Sequence, residues 1–565
     1  MKHYTLFELI NHFLIYSKLY MLHKKEGLKI KSLTQTKLIV IVSIFLVLFD
    51  NYSFFKNTFD VYPVQSGNIG FLISTGLVLT ALIIFLLTLI SSKWTTKPVL
   101  IIVLLVSSLT NYFMNSYHII INDSMIRNTL QTNLNESMDL LTLKLVLYFL
   151  LLGVLPSYLV YRSTIQYRGI KKESFAKIKV ILITLVVIAG CILIFSKHYT
   201  SFFREQKPLR LSTNPTYWIY SIGHYINKTI NNGPIIVKSL GTDAKVTNTD
   251  EKHKKLVIMV VGEAARADHF SLNGYKKETN PLLKNENIIN FSNMYSSGTS
   301  TAESVPCMFS VFDRSCYSYK KGICNENVLD VLKHTNAISI LWRDNNSDSK
   351  GVALRVPYEN YKIPEKNTIC SEGECRDIGM LVGLDKYVEE HKDKDILIIL
   401  HQMGNHGPAY YKRYPKEFEK FTPVCKTNQL EECSKEEISN AYDNAILYTD
   451  YFLSQVIDFL KKYDSSRKTA MIYMSDHGES LGENGVYLHG LPYFMAPDAQ
   501  THIGSLMWFG NEMSKEINIT KIEQNKNKKY SQDYLFDTLL GIFNVKTKVY
   551  DKKKDILHHW VPLKK

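Results

Sequence analysis

The stretch Ala470-Met471-Ile472-Tyr473-Met474, followed by Ser475-Asp476-His477-Gly478-Glu479, decides the fold of this chain. An unbroken run of five largely apolar residues reads as a strand buried on both faces. Leu256–Val261, Ile338–Trp342 and Ile396–Leu400 repeat the pattern, with helix-like stretches such as Ser439–Lys462 between them. Strand–helix alternation of this kind predicts an α/β domain around a largely parallel central sheet.

The residues at the end of each strand point to a site. The first run leads into Gly262-Glu263, the second into Arg343-Asp344-Asn345-Asn346-Ser347, and the third into His401-Gln402-Met403-Gly404-Asn405-His406-Gly407. In open α/β sheets ligands bind just beyond the carboxyl ends of the strands, so these residues are expected to share one polar pocket. Glu263, Asp476 and His477 offer oxygen and nitrogen ligands suited to zinc, with His406 and His489 as further candidates. Each alone reads equally well as a cap or a satisfied loop residue; convergence at strand ends favours the metal. The hydroxyl-rich segment Gly298–Pro306 precedes a short predicted helix, whose N-terminus favours phosphate and a developing alkoxide. It reads either as a nucleophile loop or as an ordinary capped turn.

Working outward, residues 38–196 hold most of the long apolar runs. Five approach membrane-spanning length: Leu38–Phe55, Ile69–Ile90, Pro98–Met114, Leu140–Tyr161 and Val180–Phe195. Lysine and arginine crowd the N-terminal segment (Lys18, Lys24, Lys25, Lys29, Lys31), the second loop (Lys93, Lys97) and the fourth loop (Arg162 to Lys179). The first loop has none and the third only Arg127, which places the N-terminus inside and everything after Lys197 outside. The expected organisation is a five-span helical membrane domain (1–197), a bridge with membrane-interface aromatics (198–250) and an exported α/β domain (251–565). The formal net charge of +14 is largely cytoplasmic-loop lysine and does not call for nucleic acid.

Seven of the eight cysteines lie in the exported part. Cys370/Cys375, Cys425/Cys433 and Cys316/Cys324 are close enough in sequence for short disulfide-closed loops. A thiolate metal site is the rival reading, and the lack of C-x-x-C pairs disfavours it. Cys307 is left without an assigned partner.

Several of these segments resemble the lipid A phosphoethanolamine transferases, a family that includes the mobile colistin-resistance enzymes and belongs to the alkaline-phosphatase-like, or sulfatase, superfamily. The matching stretches are V-V-G-E-A-A-R-A-D-H (260–269), G-T-S-T-A-E-S-V-P-C-M-F-S (298–310), S-I-L-W-R-D-N-N-S-D-S-K-G (339–351), L-H-Q-M-G-N-H-G-P-A-Y (400–410) and S-D-H-G-E-S-L-G-E-N-G-V-Y-L-H-G (475–490). The membrane part is similar too, in N-T-L-Q-T-N-L-N-E (128–136) and F-F-R-E-Q-K-P-L-R (202–210).

The resemblance implies that Thr301 is the nucleophile and becomes phosphoethanolaminylated. It implies that Glu263, Thr301, Asp476 and His477 hold a catalytic zinc, and that His406 and His489 contact the phosphoryl group or a second zinc. Asn346, Ser347 and Lys350 match positions that hold the donor head group. Asn128, Thr132 and Glu136 match donor-binding positions, and their i, i+4, i+8 spacing puts them on one face of a helix. The family commonly pairs the cysteine of V-P-C-M with one just before the nucleophile loop; here that position is Ser297, so the staple is expected to be missing or rerouted.

The implied function is a two-step transfer of phosphoethanolamine from phosphatidylethanolamine to a lipid A phosphate, conferring polymyxin resistance, by a monomeric enzyme of the bacterial inner membrane. Core heptose or another surface glycan is the alternative acceptor. The rival readings are a hydrolase of the same superfamily and a non-catalytic receptor with a degenerate enzyme domain. The intact set Thr301, Glu263, Asp476 and His477 weighs against the receptor, and the membrane spans against the hydrolase.

Overall fold

The computed structural model describes residues 32–557 apart from 66, 132–136, 139, 205, 231–235, 248–252 and 372. Thr132 and Glu136 therefore lie outside the described residues.

The N-terminal part is helical: α1 (Gln35–Phe49), α2 (Tyr52–Val61), α3 (Ile69–Ile90), α4 (Thr96–Tyr117), α5 (Asp123–Gln131), α6 (Leu143–Arg162) and α7 (Ile170–Ile194). By length and composition α3, α4, α6 and α7 can each cross a membrane, and α1 with α2 passes the same test as a pair bent by 57°. The run Leu38–Phe55 is thus not one straight helix. Its break at Asp50-Asn51 frees carbonyls that have no water to turn to in an apolar surrounding. Side-chain amides satisfy them: Asn51 Nδ2 donates to Leu46 O (2.9 Å), Asn111 Nδ2 to Phe49 O (3.1 Å) and Asn214 Nδ2 to Asp50 O (3.1 Å). Asn214 also donates to Ser107 O and accepts from Trp218 Nε1, which ties the bridge to the bundle.

Within α6, residues Phe149–Val154 form a wide π turn just ahead of Pro156. Gly153 in that turn lies so close to α4 that a Cβ would come within 2.5 Å of Ser108 Oγ, a small-residue contact that lets two helix backbones approach. The bridge carries three further helices, α8 (Ser196–Arg204), the short Lys207–Leu211 and α9 (Thr216–Ile230).

The C-terminal part is built on a seven-stranded sheet: β1 (Lys255–Gly262), β2 (Ile288–Asn290), β3 (Ile338–Asp344), β4 (Tyr358–Asn360), β5 (Asp395–His401), β6 (Lys468–Ser475) and β7 (Ser505–Phe509). The order is β2-β7-β6-β1-β5-β3-β4. The five strands from β6 to β4 are parallel; β7 and β2 add an antiparallel edge. The four predicted strands lie side by side in this sheet, each longer than expected by two or three residues.

Alternation divides the sheet residues between two cores. Val257, Met259 and Val261 face α11 (Val328–His334) and α13 (Leu535–Ile542); Leu256, Ile258 and Val260 face α12 (Lys435–Lys461). Each such side chain, once fully buried, stabilises the fold by about 1.5–3 kcal/mol before entropy is counted. The long helix α12 begins in a capping box between Ser434 and Glu437.

Two of the expected disulfides are present, Cys370–Cys375 and Cys425–Cys433. The third is not: Cys316 and Cys324 stand as thiols, as do Cys307 and Cys191. The short helix Tyr319–Ile323 separates them, with Cys316 exposed in the turn before it and Cys324 at its C-cap.

Candidate active site

Four parallel strands deliver their C-terminal residues to one place. Glu263 follows β1, Asp476 and His477 follow β6, Asn346 follows β3 and His406 follows β5. Facing them is Thr301, the first residue of α10 (Thr301–Met308). Thr301 Oγ1 donates to Glu263 Oε2 (3.0 Å) and lies 3.4 Å from His477 Nε2. That nitrogen is 3.3 Å from Glu263 Oε1 and 3.4 Å from Asp476 Oδ2. Asn346 Nδ2 donates to Glu263 Oε2 (2.8 Å). Thr301, Glu263, Asp476, His477 and Asn346 are all buried.

The supports come from far along the chain. Gln532, fully buried, accepts at Oε1 from Ser297 N (2.6 Å) and Ser304 Oγ (2.7 Å) and donates from Nε2 to Ser475 O (2.7 Å) and Asp476 O (2.9 Å). It thereby clamps the Thr301 loop to the Asp476 turn. Asp377 does the same for the turn after β5, accepting from Met403 N (2.8 Å), Gly404 N (3.1 Å) and Asn345 Nδ2 (2.8 Å). Gly404 has φ 48°, and a Cβ there would press within 2.9 Å of Glu263 O, so the turn can close on Glu263 only as glycine. Sequence reasoning singled out neither Gln532 nor Asp377, and no motif around them would have done so.

Glu263, Asp476 and His477 each present one ligand atom, all within 4.8 Å of one another. The donor chemistry fits a cation. His477 Nδ1 faces Gly478 O at 2.8 Å, which leaves Nε2 as its ligand atom. Glu263 Oε1 and Asp476 Oδ2 are buried and have no hydrogen bond. Burial works against the Glu263 charge, but the neighbouring His477 outweighs it and holds that carboxyl well below its usual range. Burial and the Glu263 charge push Asp476 up to about 6. Burial lowers His477, yet Asp476 and Glu263 carry it up to about 10. Within this trio the only positive partner for two buried carboxylates is the imidazole proton, which a metal at Nε2 would displace.

A second trio, His477, Glu479 and His489, also lies within 4.8 Å. Both draw on His477, whose single free nitrogen serves one ion. Glu479 is already engaged, accepting from Tyr410 OH (3.1 Å) and facing His489 Nδ1 (3.0 Å). The first trio, with its two unbonded oxygens, is the better cation site.

The histidines frame the entrance. The His489 ring lies 4.2 Å from that of His477 and 6.0 Å from that of His406, centre to centre. Ser347 and Lys350 are in the turn after β3, but their bonds stay within it: Ser347 to Asn346 Oδ1, and Lys350 to Asp348. Asn128 lies with Asn122, Thr299, Ser300, Glu303 and Arg314 on a cavity of ≈ 270 Å³ that joins the α5 segment to α10. The wall is stiffened by the Arg314 guanidinium stacked 3.2 Å from the Tyr493 ring centre.

The geometry has close counterparts. The chain is 43% identical over 515 residues to the phosphatidylethanolamine transferase Mcr-2 of Escherichia coli, covering 89% of this chain and 94% of that one. It is 38% identical to phosphoethanolamine transferase EptA of Escherichia coli K12, over 94% of this chain and 98% of that one. This chain belongs to the phosphoethanolamine transferase family. Residues 79–230 match the family model described as phosphoethanolamine transferase EptA/EptB, and residues 255–545 the sulfatase model. The full-length structure of the integral membrane lipooligosaccharide phosphoethanolamine transferase A from Neisseria meningitidis superposes with TM-score 0.90 at 35% identity, over 94% of this chain and 99% of that one. As a phosphoethanolamine transferase, the chain joins a helical membrane part to a periplasmic alkaline-phosphatase-like domain.

Proposed function

We propose that this phosphoethanolamine transferase takes its group from phosphatidylethanolamine, carries it on Thr301 and delivers it to a phosphate of lipid A. The observation that carries the reading is Thr301 Oγ1 at the helix N-terminus, 3.0 Å from Glu263 and 3.4 Å from His477 Nε2. Relatives named for phosphatidylethanolamine and, at 26% identity, for Kdo(2)-lipid A support donor and acceptor.

In the first half-reaction Thr301 Oγ1 bonds to phosphorus and the bond to the diacylglycerol oxygen breaks. The hydroxyl proton lies toward Glu263, and His406 or His489 supplies one to the departing alcohol. In the second, a lipid A phosphate oxygen attacks the same phosphorus, the bond from phosphorus to Thr301 Oγ1 breaks, and Thr301 recovers its proton. Glu263, Asp476, His477 and Thr301 would hold the zinc, which would supply Lewis acidity favouring the ionised hydroxyl and offsetting charge on the phosphoryl oxygens. Asn346, Ser347 and Lys350 hold the donor head group beside it, with Asn128, Thr132 and Glu136 from the membrane part. A basic N-terminal side faces the cytoplasm and the catalytic domain lies outside the inner membrane. Both substrates are lipids, so a membrane-held site confines the search to a surface.

The test is reconstitution of the full chain in liposomes of phosphatidylethanolamine and lipid A. Mass spectra are expected to show lipid A gaining one phosphoethanolamine, with zinc required after chelation. Release of free phosphoethanolamine at the same rate with and without lipid A would instead make the enzyme a hydrolase.

A further inference from the structure

Two apolar cores meet at one point of this chain. The cluster Tyr112, Tyr117 and Ile119 lies at the end of α4, and Tyr487 and Leu488 of the catalytic domain pack against it. The same two residues pack against the sheet-face core that holds Tyr410, Ile446 and Leu481. Ile121 links the small cluster onward to the core of the membrane helices. Tyr487-Leu488 is thus an apolar joint between the two halves of the molecule.

What the joint carries is the entrance of the active site. Leu488 directly precedes His489, and its φ of 62° puts a branched side chain in a backbone region that such residues avoid. A residue persists there only where its surroundings hold it. Leu488 Cδ2 covers Gly407, the neighbour of His406, so closely that a Cβ on Gly407 would meet it at 2.8 Å. On the other side of His489, Gly490 (φ 89°) abuts Met125 of α5, 3.0 Å from where its Cβ would be. Gly490 N donates to Thr299 O (2.8 Å), tying the segment to the nucleophile loop. Polar links flank the joint: Tyr117 OH donates to Asn428 O (3.1 Å) and Lys144 pairs with Glu431 (2.6 Å).

We propose that Tyr487 and Leu488 are positioning residues, through which docking of the Tyr112, Tyr117 and Ile119 cluster sets His489 for transfer. The membrane part is then a structural component of the active site as well as its anchor. The inference rests on the role given to His489 in the proposed reaction.

The experiment is a mutant cycle on the full-length protein in phosphatidylethanolamine and lipid A liposomes, run long enough to resolve residual rates. Tyr117→Ala and Leu488→Ala are each expected to cut turnover by about 10- to 100-fold, the cost of a small misplacement, while Tyr117→Phe, which keeps the ring, stays near the parent. In a His489→Ala background the same changes should add less than about a twofold loss, because they act through that residue. Losses that multiply in that background, or parent-like turnover of Tyr117→Ala, overturn the inference and leave the role of His489 standing. Parent-like turnover of His489→Ala overturns that role and the inference with it. If Tyr117→Ala shows no thermal transition, the Leu488→Ala and His489→Ala cycle decides alone.

Discussion

Thr301 Oγ1 donates to Glu263 Oε2 across 3.0 Å, which joins the start of the nucleophile helix to the end of the central strand. The same carboxylate oxygen accepts from Asn346 Nδ2 at 2.8 Å, while Glu263 Oε1 faces His477 Nε2 at 3.3 Å. Both oxygens therefore have separate work. Glu263→Gln keeps the shape and removes the charge. Turnover should fall by at least about 100-fold, the upper end for losing even an outer partner of a metal ligand, and bound zinc measured by elemental analysis should fall with it. A variant that keeps full zinc and full turnover would remove Glu263 from the site.

Gln532 uses all four of its polar positions inside the protein. Gln532→Ala strands buried groups on both the nucleophile loop and the Asp476 turn. The expected cost is about 2–4 kcal/mol, read as a melting temperature lower by about 5–10 °C, with a loss of turnover at temperatures where the protein is still folded. An unchanged melting temperature would show that the clamp holds nothing.

Ser297, whose hydroxyl donates to Asp533 Oδ1 (3.1 Å), is the position at which the family resemblance expects a cysteine to pair with the buried Cys307. Ser297→Cys should close that bond on oxidation. For a loop this short the chain-entropy gain is about 3 kcal/mol. Protection of both thiols from alkylation and a higher melting temperature would confirm it; two alkylatable thiols would show that the side chains cannot meet.

Asp450 accepts from Leu282 N (2.9 Å) and Leu283 N (3.0 Å), yet burial pushes its carboxyl up to about 7. A folded-state value above the unfolded one means that the contribution to stability is present below about pH 4 and is lost as pH rises through 7. Asp450→Asn, neutral at every pH, should therefore gain on the parent between pH 5 and pH 8, by up to about 4 kcal/mol. Melting-temperature differences that stay flat with pH would contradict the shift.

The strands that position the site were legible because residues such as Ile258 and Ile398 are buried on both faces and leave an unbroken apolar run. The antiparallel edge was not, since an apolar run such as Leu506–Phe509 carries no sign of its direction. Nor was the bend at Asp50-Asn51, whose freed carbonyls are satisfied by Asn111 and Asn214, distant in sequence and adjacent only in the fold. Glu263, Asp476 and His477 announced themselves by ending strands. Gln532, Asp377 and Glu479 work through tertiary bonds to backbone or to a histidine, and such bonds leave no periodicity to read. The expected Cys316–Cys324 pair rested on spacing alone, and spacing does not say where two thiols point.

Whether Thr301 carries the transferred group is decided by the intact mass of the full-length protein after incubation with phosphatidylethanolamine under zinc-replete conditions, beside Thr301→Ala. A gain of one phosphoethanolamine on the parent, absent from the variant, is the predicted result. Consumption of the lipid with no mass gain, or the same gain on Thr301→Ala, would contradict a covalent intermediate on Thr301.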